Sequence, residues 1–291
     1  MKLIDPATTS IPDLHQYLVG AVAPRPIAFV STISAEGVPN LAPYSFFNVF
    51  SSNPPTLVFS SNRRVRGNTT KDTLRNAEET REVVVNVVNH AIVQQMSLAS
   101  IDYPEEVSEF DKSGLTPVAS ELVKPFRVKE SPVQMECRVR DIVSLGSEGG
   151  AGNLIICDIL RMHIDEGILD DKGRIDPHKA DLMGRMGRAF YVRASGEAVS
   201  TLVRPFEVLG IGFDGLPPHI RTSPILTGND LAQLAAFTVI PAAQDSTMLD
   251  PRVMDILAGN VQDRDPQLHR YAQELIARDQ LDQAWQVLLV E

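Results

Sequence analysis

The residues best able to do chemistry lie between Pro24 and Thr73. An apolar run, Pro26-Ile27-Ala28-Phe29-Val30, is closed by Ser31 and Thr32. After a turn at Ala35-Glu36-Gly37 comes Asn40-Leu41-Ala42-Pro43-Tyr44-Ser45-Phe46-Phe47-Asn48. Asn53-Pro54-Pro55 then leads into a second run, Thr56-Leu57-Val58-Phe59, closed by Ser60 and Ser61. A basic polar loop from Asn62 to Thr70 ends at Lys71-Asp72-Thr73. Hydroxyl and amide side chains thus gather at the ends of apolar strands, with cations just beyond. That set suits a flat polar ring carrying an anionic tail. Hydroxyls and amides meet ring heteroatoms, aromatic side chains exclude water, and Arg or Lys matches the charge of the tail. Lys71 also precedes a helix N-terminus, which itself favours an anion.

Strands must hold these groups in place. Residues 26–30 and 56–60 read as strands, and the β-branched run Glu82-Val83-Val84-Val85-Asn86-Val87-Val88 reads as a core strand. Proline cannot donate to a central ladder, so Pro43 places its segment at an edge or a bulge. Val133, Met135, Cys137 and Val139 alternate with polar residues, the pattern of a half-buried strand. A flexible hairpin loop, Ser144 to Asn153, and a return strand, Leu154 to Ile164, follow. Helices are expected from a Ser10 cap to a stop at Gly20, with Leu14, Leu18 and Val19 on one face, and from an Asp72 cap to Thr80. The acidic stretch from Tyr103 to Gly114, with Glu105, Glu106, Glu109 and Asp111, reads as solvated surface.

Composition bounds the rest. The chain has 291 residues, 43% hydrophobic and 22% charged, with a formal charge of −10, against the basic footprint that nucleic-acid binding needs. No apolar run nears the roughly 20 residues of a membrane helix, and the N-terminus lacks the apolar stretch of a signal peptide. A cytoplasmic location follows as the expectation. Cys137 and Cys157 form no CxxC pair, and the six histidines are scattered, so neither a disulfide framework nor a metal site is expected. The glycines at 146, 149, 150 and 152 do not make GxGxxG, and no helical pattern follows them, which argues against a dinucleotide fold.

Taken in order, PRPIAFVST (24–32), NLAPYSFFN (40–48), NPP (53–55), KDTLRN (71–76) and VVNVV (84–88) resemble the flavin reductase-like, FMN-binding split-barrel family, in particular its flavoredoxin-type branch. SEFDKSGLTP (108–117) and the segment Gly184 to Tyr191 extend the likeness over residues 10–195. The resemblance implies a mainly β fold with helices, a Greek-key split β-barrel over residues 1–203; the helical C-terminal extension over 204–291 lies outside it and is read from the shift in composition and pattern after Arg204. The resemblance also implies a homodimer with FMN at the subunit interface. Carried across by motif, Pro43, Tyr44, Ser45, Phe46 and Phe47 would border the isoalloxazine, with Ser31 and Thr32 under the ring edge. Ser60, Ser61, Asn62, Arg63 and Lys71 would hold the ribityl phosphate. Which of Arg63, Arg64 and Arg66 meets that phosphate stays open.

The activity so implied is an FMN-dependent oxidoreductase fed by NADH or NADPH, passing electrons to free flavin, a partner oxygenase or another small acceptor. The cofactor carries the redox chemistry, so no indispensable acid–base side chain is expected. Two other readings stand beside it. One is a non-catalytic flavin or electron carrier whose helical tail binds a partner; the other is an FMN-dependent enzyme acting on a specific small organic substrate. In the tail, Thr227 and Asp230 have capping-box spacing. Helices are expected at 229–236, 251–258, 266–278 and 281–290. The apolar hinge Arg204 to Gly212 is expected to pack on the barrel, making the tail a cap over the flavin face or the dimer edge. His219 and Arg221 lie where an acidic substrate could meet them, or simply in solvent.

Overall fold

Ser10 begins the first helix as its residue type predicts. Its hydroxyl accepts from the Asp13 amide and caps α1 (Ile11–Ala21). The helix runs through Gly20 rather than stopping there, and Leu18 is exposed while Val19 is buried. The computed structural model describes all residues except 105, 203–208, 245–249 and 291. Glu105 and the hinge residues Arg204 to Val208 therefore lie outside the described residues. The chain divides into two compact units, Met1–Ser200 and Thr201–Glu291.

In the first unit α1 is followed by β1 (Ala28–Ile33), β2 (Pro39–Tyr44), β3 (Phe47–Ser52), β4 (Pro55–Ser60), α2 (Asp72–Thr80) and β5 (Glu82–Val87). Next come α3 (Val93–Leu98), α4 (Glu109–Ser113), the short β6 (Pro117–Val118) and β7 (Arg127–Val128), and the long hairpin β8 (Val133–Ser144) and β9 (Asn153–Ile164). The unit closes with α5 (Pro177–Ala180), β10 (Leu182–Gly187) and β11 (Phe190–Ala194). Seven strands form one sheet in the order β2-β1-β5-β8-β9-β4-β3. All neighbours are antiparallel.

Alternation along the strands sorts side chains into two cores. Val30, Phe59, Val85, Cys137 and Ile155, from five different strands, meet in one core. Phe29 and Leu41 face the other way, against Met96 and Phe110 of the covering helices. Burial on both faces corrects the half-buried reading over 133–137, since Gln134 and Glu136 are buried as well, whereas Arg138 and Arg140 are exposed as that reading expects. Glu136 can be buried because the Glu121 and Leu122 amides and His163 all bond to its carboxylate. Cys137 and Cys157 are free thiols that burial pushes upward in pKa. Pro43 lies in the edge strand β2, a place in a sheet that tolerates a residue without an N–H.

The acidic stretch is not all surface. Glu109 is buried and accepts from the Leu41 amide at 2.9 Å, tying α4 to β2. Lys71, not Asp72, is the N-cap of α2, and Asp72 opens the helix by pairing with Arg75. The glycine-rich loop after β8 is also pinned. Gly150 N–H donates to Arg63 O, Arg63 N–H to Ala151 O, and the Asn68 amide to Ser147 O, so this loop braces the basic one.

The second unit has its own core. Its helices are α6 (Pro218–Arg221), α7 (Gly228–Ala235), α8 (Pro251–Ala258), α9 (Arg264–Ile276) and α10 (Leu281–Leu288). Thr227 and Asp230 form the expected capping box. Trp285, Leu234 and Ile220 are fully buried among Leu268, Tyr271 and Leu275. His219 bonds to the Leu288 carbonyl inside this unit, whereas Arg221 is exposed. In the described part of the hinge, Ile211 packs on this helical core. No helix among the described residues is long and apolar enough to cross a membrane, and no group of His, Cys, Asp and Glu among them could hold a metal ion.

Candidate functional site

The end of β2 opens onto a cleft of about 350 Å³. Pro43, Tyr44, Ser45 and Phe46 form one wall, and Ser60, Asn62 and Lys71 a second. His15, Gln16 and Val19 of α1, Arg25, and Arg185, Gly187 and Arg188 of the β10–β11 hairpin complete it. Two glycines allow the close approaches. Gly187 has φ +90°, and a Cβ there would lie 2.9 Å from the Val19 carbonyl oxygen, so the hairpin can rest on α1. A Cβ on Gly152 would lie 2.7 Å from Ser60 Oγ, so the long hairpin can back the second wall.

Charge is the cleft's clearest property. In a chain of formal charge −10, the lining holds Arg25, Lys71, Arg185 and Arg188 and, among the described residues, no Asp or Glu. Lys71 is half-buried, with its ammonium 5.4 Å from the Tyr44 ring centroid and no carboxylate bonded to it among the described residues. Burial lowers its pKa from the ordinary value, more than Asp102 and Asp72 raise it. A bound anion would offset that desolvation. Arg25 is also lowered by burial and by the neighbouring Arg185. Its guanidinium donates to the Val19 and Val22 carbonyls at the end of α1 and lies 5.9 Å from the Phe46 ring centroid.

The sequence-selected residues divide into those that line the cleft and those that build it. Pro43, Tyr44, Ser45, Phe46, Ser60, Asn62 and Lys71 come together at its surface. Ser31, Thr32, Phe47, Ser61 and Arg63 do not line it. Thr32 Oγ1 accepts from Asn40 and Asn76, and Asn40 also donates to Thr73, a buried net joining β1, β2 and α2. The Ser31 and Ser61 hydroxyls are buried without partners among the described residues, and Phe47 packs on the barrel core. Arg63 turns back onto Asn68, at 2.6 Å to both its side-chain and backbone oxygens. Arg64 pairs with Asp102 at 3.0 Å, and Arg66 is exposed. The Tyr44 hydroxyl lies near those of Thr73 and Ser61 without hydrogen-bond geometry to either; burial pushes its pKa up to about 12.

Sequence reasoning missed Arg25, Arg185, Arg188 and His15 as site residues. The basic, glycine-spaced character of 184–191 was visible, but the pairing that brings it to Arg25 is not a local property.

Comparison with known proteins bears on the family and the fold. The flavin reductase like domain matches residues 20–178, more than half of the chain. Nitrilotriacetate monooxygenase component B from Bacillus cereus superposes with TM-score 0.64 at 33% identity, covering 69% of this chain and 98% of that one. The 2-nitrobenzoate 2-nitroreductase NbaA of Pseudomonas fluorescens gives TM-score 0.61 at 28% identity, covering 70% and 98%. A split barrel domain from Shewanella frigidimarina NCIMB 400 gives TM-score 0.58 at 22% identity, covering 68% and 94%, a likeness of fold. Each match spans nearly all of the other protein and about two thirds of this one. With a sheet-rich split barrel, a helical C-terminal region and that domain match, this chain belongs to the flavin reductase-like family.

Proposed function

We propose that the protein is an FMN-dependent oxidoreductase supplied by NADH or NADPH. The observation that carries this reading is the cation-lined cleft at the end of β2, free of carboxylates among the described residues, in an otherwise acidic chain. Its residues fit the cofactor. Lys71, half-buried and unpaired among the described residues, holds the phosphate, with Ser60 and Asn62 as neutral partners. Ser45 and the backbone of the edge strand meet the polar edge of the ring, while Pro43 and Phe46 exclude water. Bound FMN supplies the hydride and electron chemistry. The protein's part is to bind, orient and shield it.

The likeness to a monooxygenase component B supports delivery of electrons to a partner oxygenase. The likeness to a nitroreductase supports direct reduction of a small organic acceptor instead. Absorbance of the purified full chain tests the cofactor, and anaerobic stopped-flow mixing with NADH and NADPH tests the activity. Rapid bleaching of bound flavin is expected. Tight flavin binding with no bleaching by either nucleotide would leave a carrier and refute the enzyme. We also propose a homodimer, supported by Val49 and Phe50, which are 55% and 69% exposed on the edge strand β3. Sedimentation of the holoprotein checks this; a flavin-loaded monomer at micromolar concentration refutes it.

A further inference from the structure

Beside the large cleft, and sharing Pro43, Tyr44, Ser45 and Arg185 with it, lies a recess of about 210 Å³. We propose that this recess is a second ligand site, for a single-ring or comparably small organic carboxylate, with Arg185 as the anion anchor. The inference rests on the reading of the larger cleft as the flavin site.

Size and lining set the ligand class. An apolar cavity of roughly 150 Å³ accepts benzene, so the recess has room for one ring and a charged substituent. Ile27 and Met96, both buried, and Pro43 supply apolar surface, and Tyr191 adds a ring. Among the described residues Arg185 is the one charged side chain in the lining.

Arg185 is held ready for an anion. Its guanidinium lies 4.6 Å from the Tyr191 ring centroid and donates to the Tyr191 hydroxyl. A second bond, at 2.7 Å, goes to the Arg188 carbonyl. A guanidinium has about five N–H donors in a fixed fork, so these bonds leave several for a carboxylate. No Asp or Glu bonds to Arg185 among the described residues.

The backbone sharpens the argument. Arg25 and Arg185 exchange both ladder bonds, at 3.0 and 2.8 Å, and are therefore directly opposite on neighbouring strands. Side chains so placed start about 5 Å apart, and like charges there repel. Arg25 is only 6% exposed, and its donors serve the carbonyls that end α1 and, at 3.5 Å, the Ser45 hydroxyl. It adds positive potential while Arg185 keeps the open donors. A carboxylate in the recess would relieve this repulsion; a neutral ring of the same shape would not.

The test is calorimetric titration of the FMN-loaded full chain with benzoate and with benzamide, its neutral counterpart. Benzoate is expected to bind about tenfold or more tightly than benzamide, the scale of a charge-assisted bond. Arg185→Gln should erase that preference, and Arg185→Lys, which keeps the charge without the fork, should restore part of it. Ser100→Trp, at an exposed position in the lining, should block benzoate by filling the recess and guards against a misfolded Arg185 variant. Equal binding of benzoate and benzamide by the wild-type protein overturns the proposal, as does an Arg185→Gln protein that keeps the preference. Displacement of FMN by benzoate would give the recess to the flavin and overturn it too. So would an Arg185→Gln variant that loses FMN but not riboflavin, because Arg185 would then grip the phosphate. If the protein binds no flavin and yet binds benzoate through Arg185, the flavin reading falls and the recess stands.

Discussion

Replacing Lys71 with alanine isolates the phosphate grip. Lys71 is half-buried, carries no ion pair among the described residues, and lines the cleft beside Ser60 and Asn62. A hydrogen bond from a charged group contributes about 1.5–3 kcal/mol. At about 1.4 kcal/mol per decade, Lys71→Ala should weaken FMN binding by roughly ten- to a hundredfold. Riboflavin, which lacks the phosphate, should bind both proteins alike. Fluorescence titration with the two flavins gives the four constants needed. Arg63→Ala provides the contrast: its guanidinium is engaged by Asn68, so its effect should fall on both flavins through the loop. The pH profile carries a sign. Burial lowers the Lys71 pKa, so the folded protein releases this proton before the unfolded chain does. Stability of the apoprotein should therefore rise with pH through that window, while FMN affinity, which needs the charge, should fall. Equal loss of FMN and riboflavin in Lys71→Ala, or a phosphate-selective loss in Arg63→Ala alone, refutes the reasoning.

Gly187→Ala is expected to cost about 1–3 kcal/mol, because a side chain must adopt φ +90° and approach the Val19 carbonyl; an unchanged thermal midpoint would contradict that geometry. Glu136→Ala leaves the Glu121 and Leu122 amides and His163 without their acceptor and should cost about 3–5 kcal/mol in chemical denaturation, so a loss below 1 kcal/mol argues against it. Burial raises the Glu136 pKa, but those donors outweigh it and the net shift is downward. Its contribution should therefore be complete above the ordinary value of 4.5 and be lost as pH falls through the folded value, a loss absent from Glu136→Gln. A chain ending at Ser200 should fold and keep its FMN affinity, since the two units have separate cores. If the tail caps the flavin, as its sequence suggested, this truncation should also oxidise NAD(P)H faster; an unchanged rate removes the cap.

Much of the barrel was legible because its strands obey local rules. Val83, Val84 and Val85 announce a central strand, and Pro43 announces an edge. The helical tail was legible from its caps, with Pro251 opening α8 and the Thr227–Asp230 box opening α7. Features set by distant neighbours were not. Glu109 and Glu136 read as surface until the Leu41, Glu121 and Leu122 amides are brought to them. Thr32 has the residue type of a ligand contact, yet Asn40 and Asn76 take it up. Half of the cleft's positive charge comes from Arg185 and Arg188, more than a hundred residues beyond the motif that betrays the other wall.

The clustering of four cations in one cleft of an acidic chain also bears on how fast an anion can arrive. At long range the molecule is a tenfold-negative body that repels flavin phosphates and nicotinamide nucleotides alike. Within a few ångströms of the cleft the local cations reverse that field. Salt acts unequally on the two, since the screening length shrinks from about 30 Å at 0.01 M to about 10 Å at 0.1 M. Moderate ionic strength therefore strips away the distant repulsion and leaves most of the close attraction. Capture of an anion should be no slower in a physiological medium than in a dilute buffer, opposite to the usual behaviour of proteins that draw anions in with a positive surface.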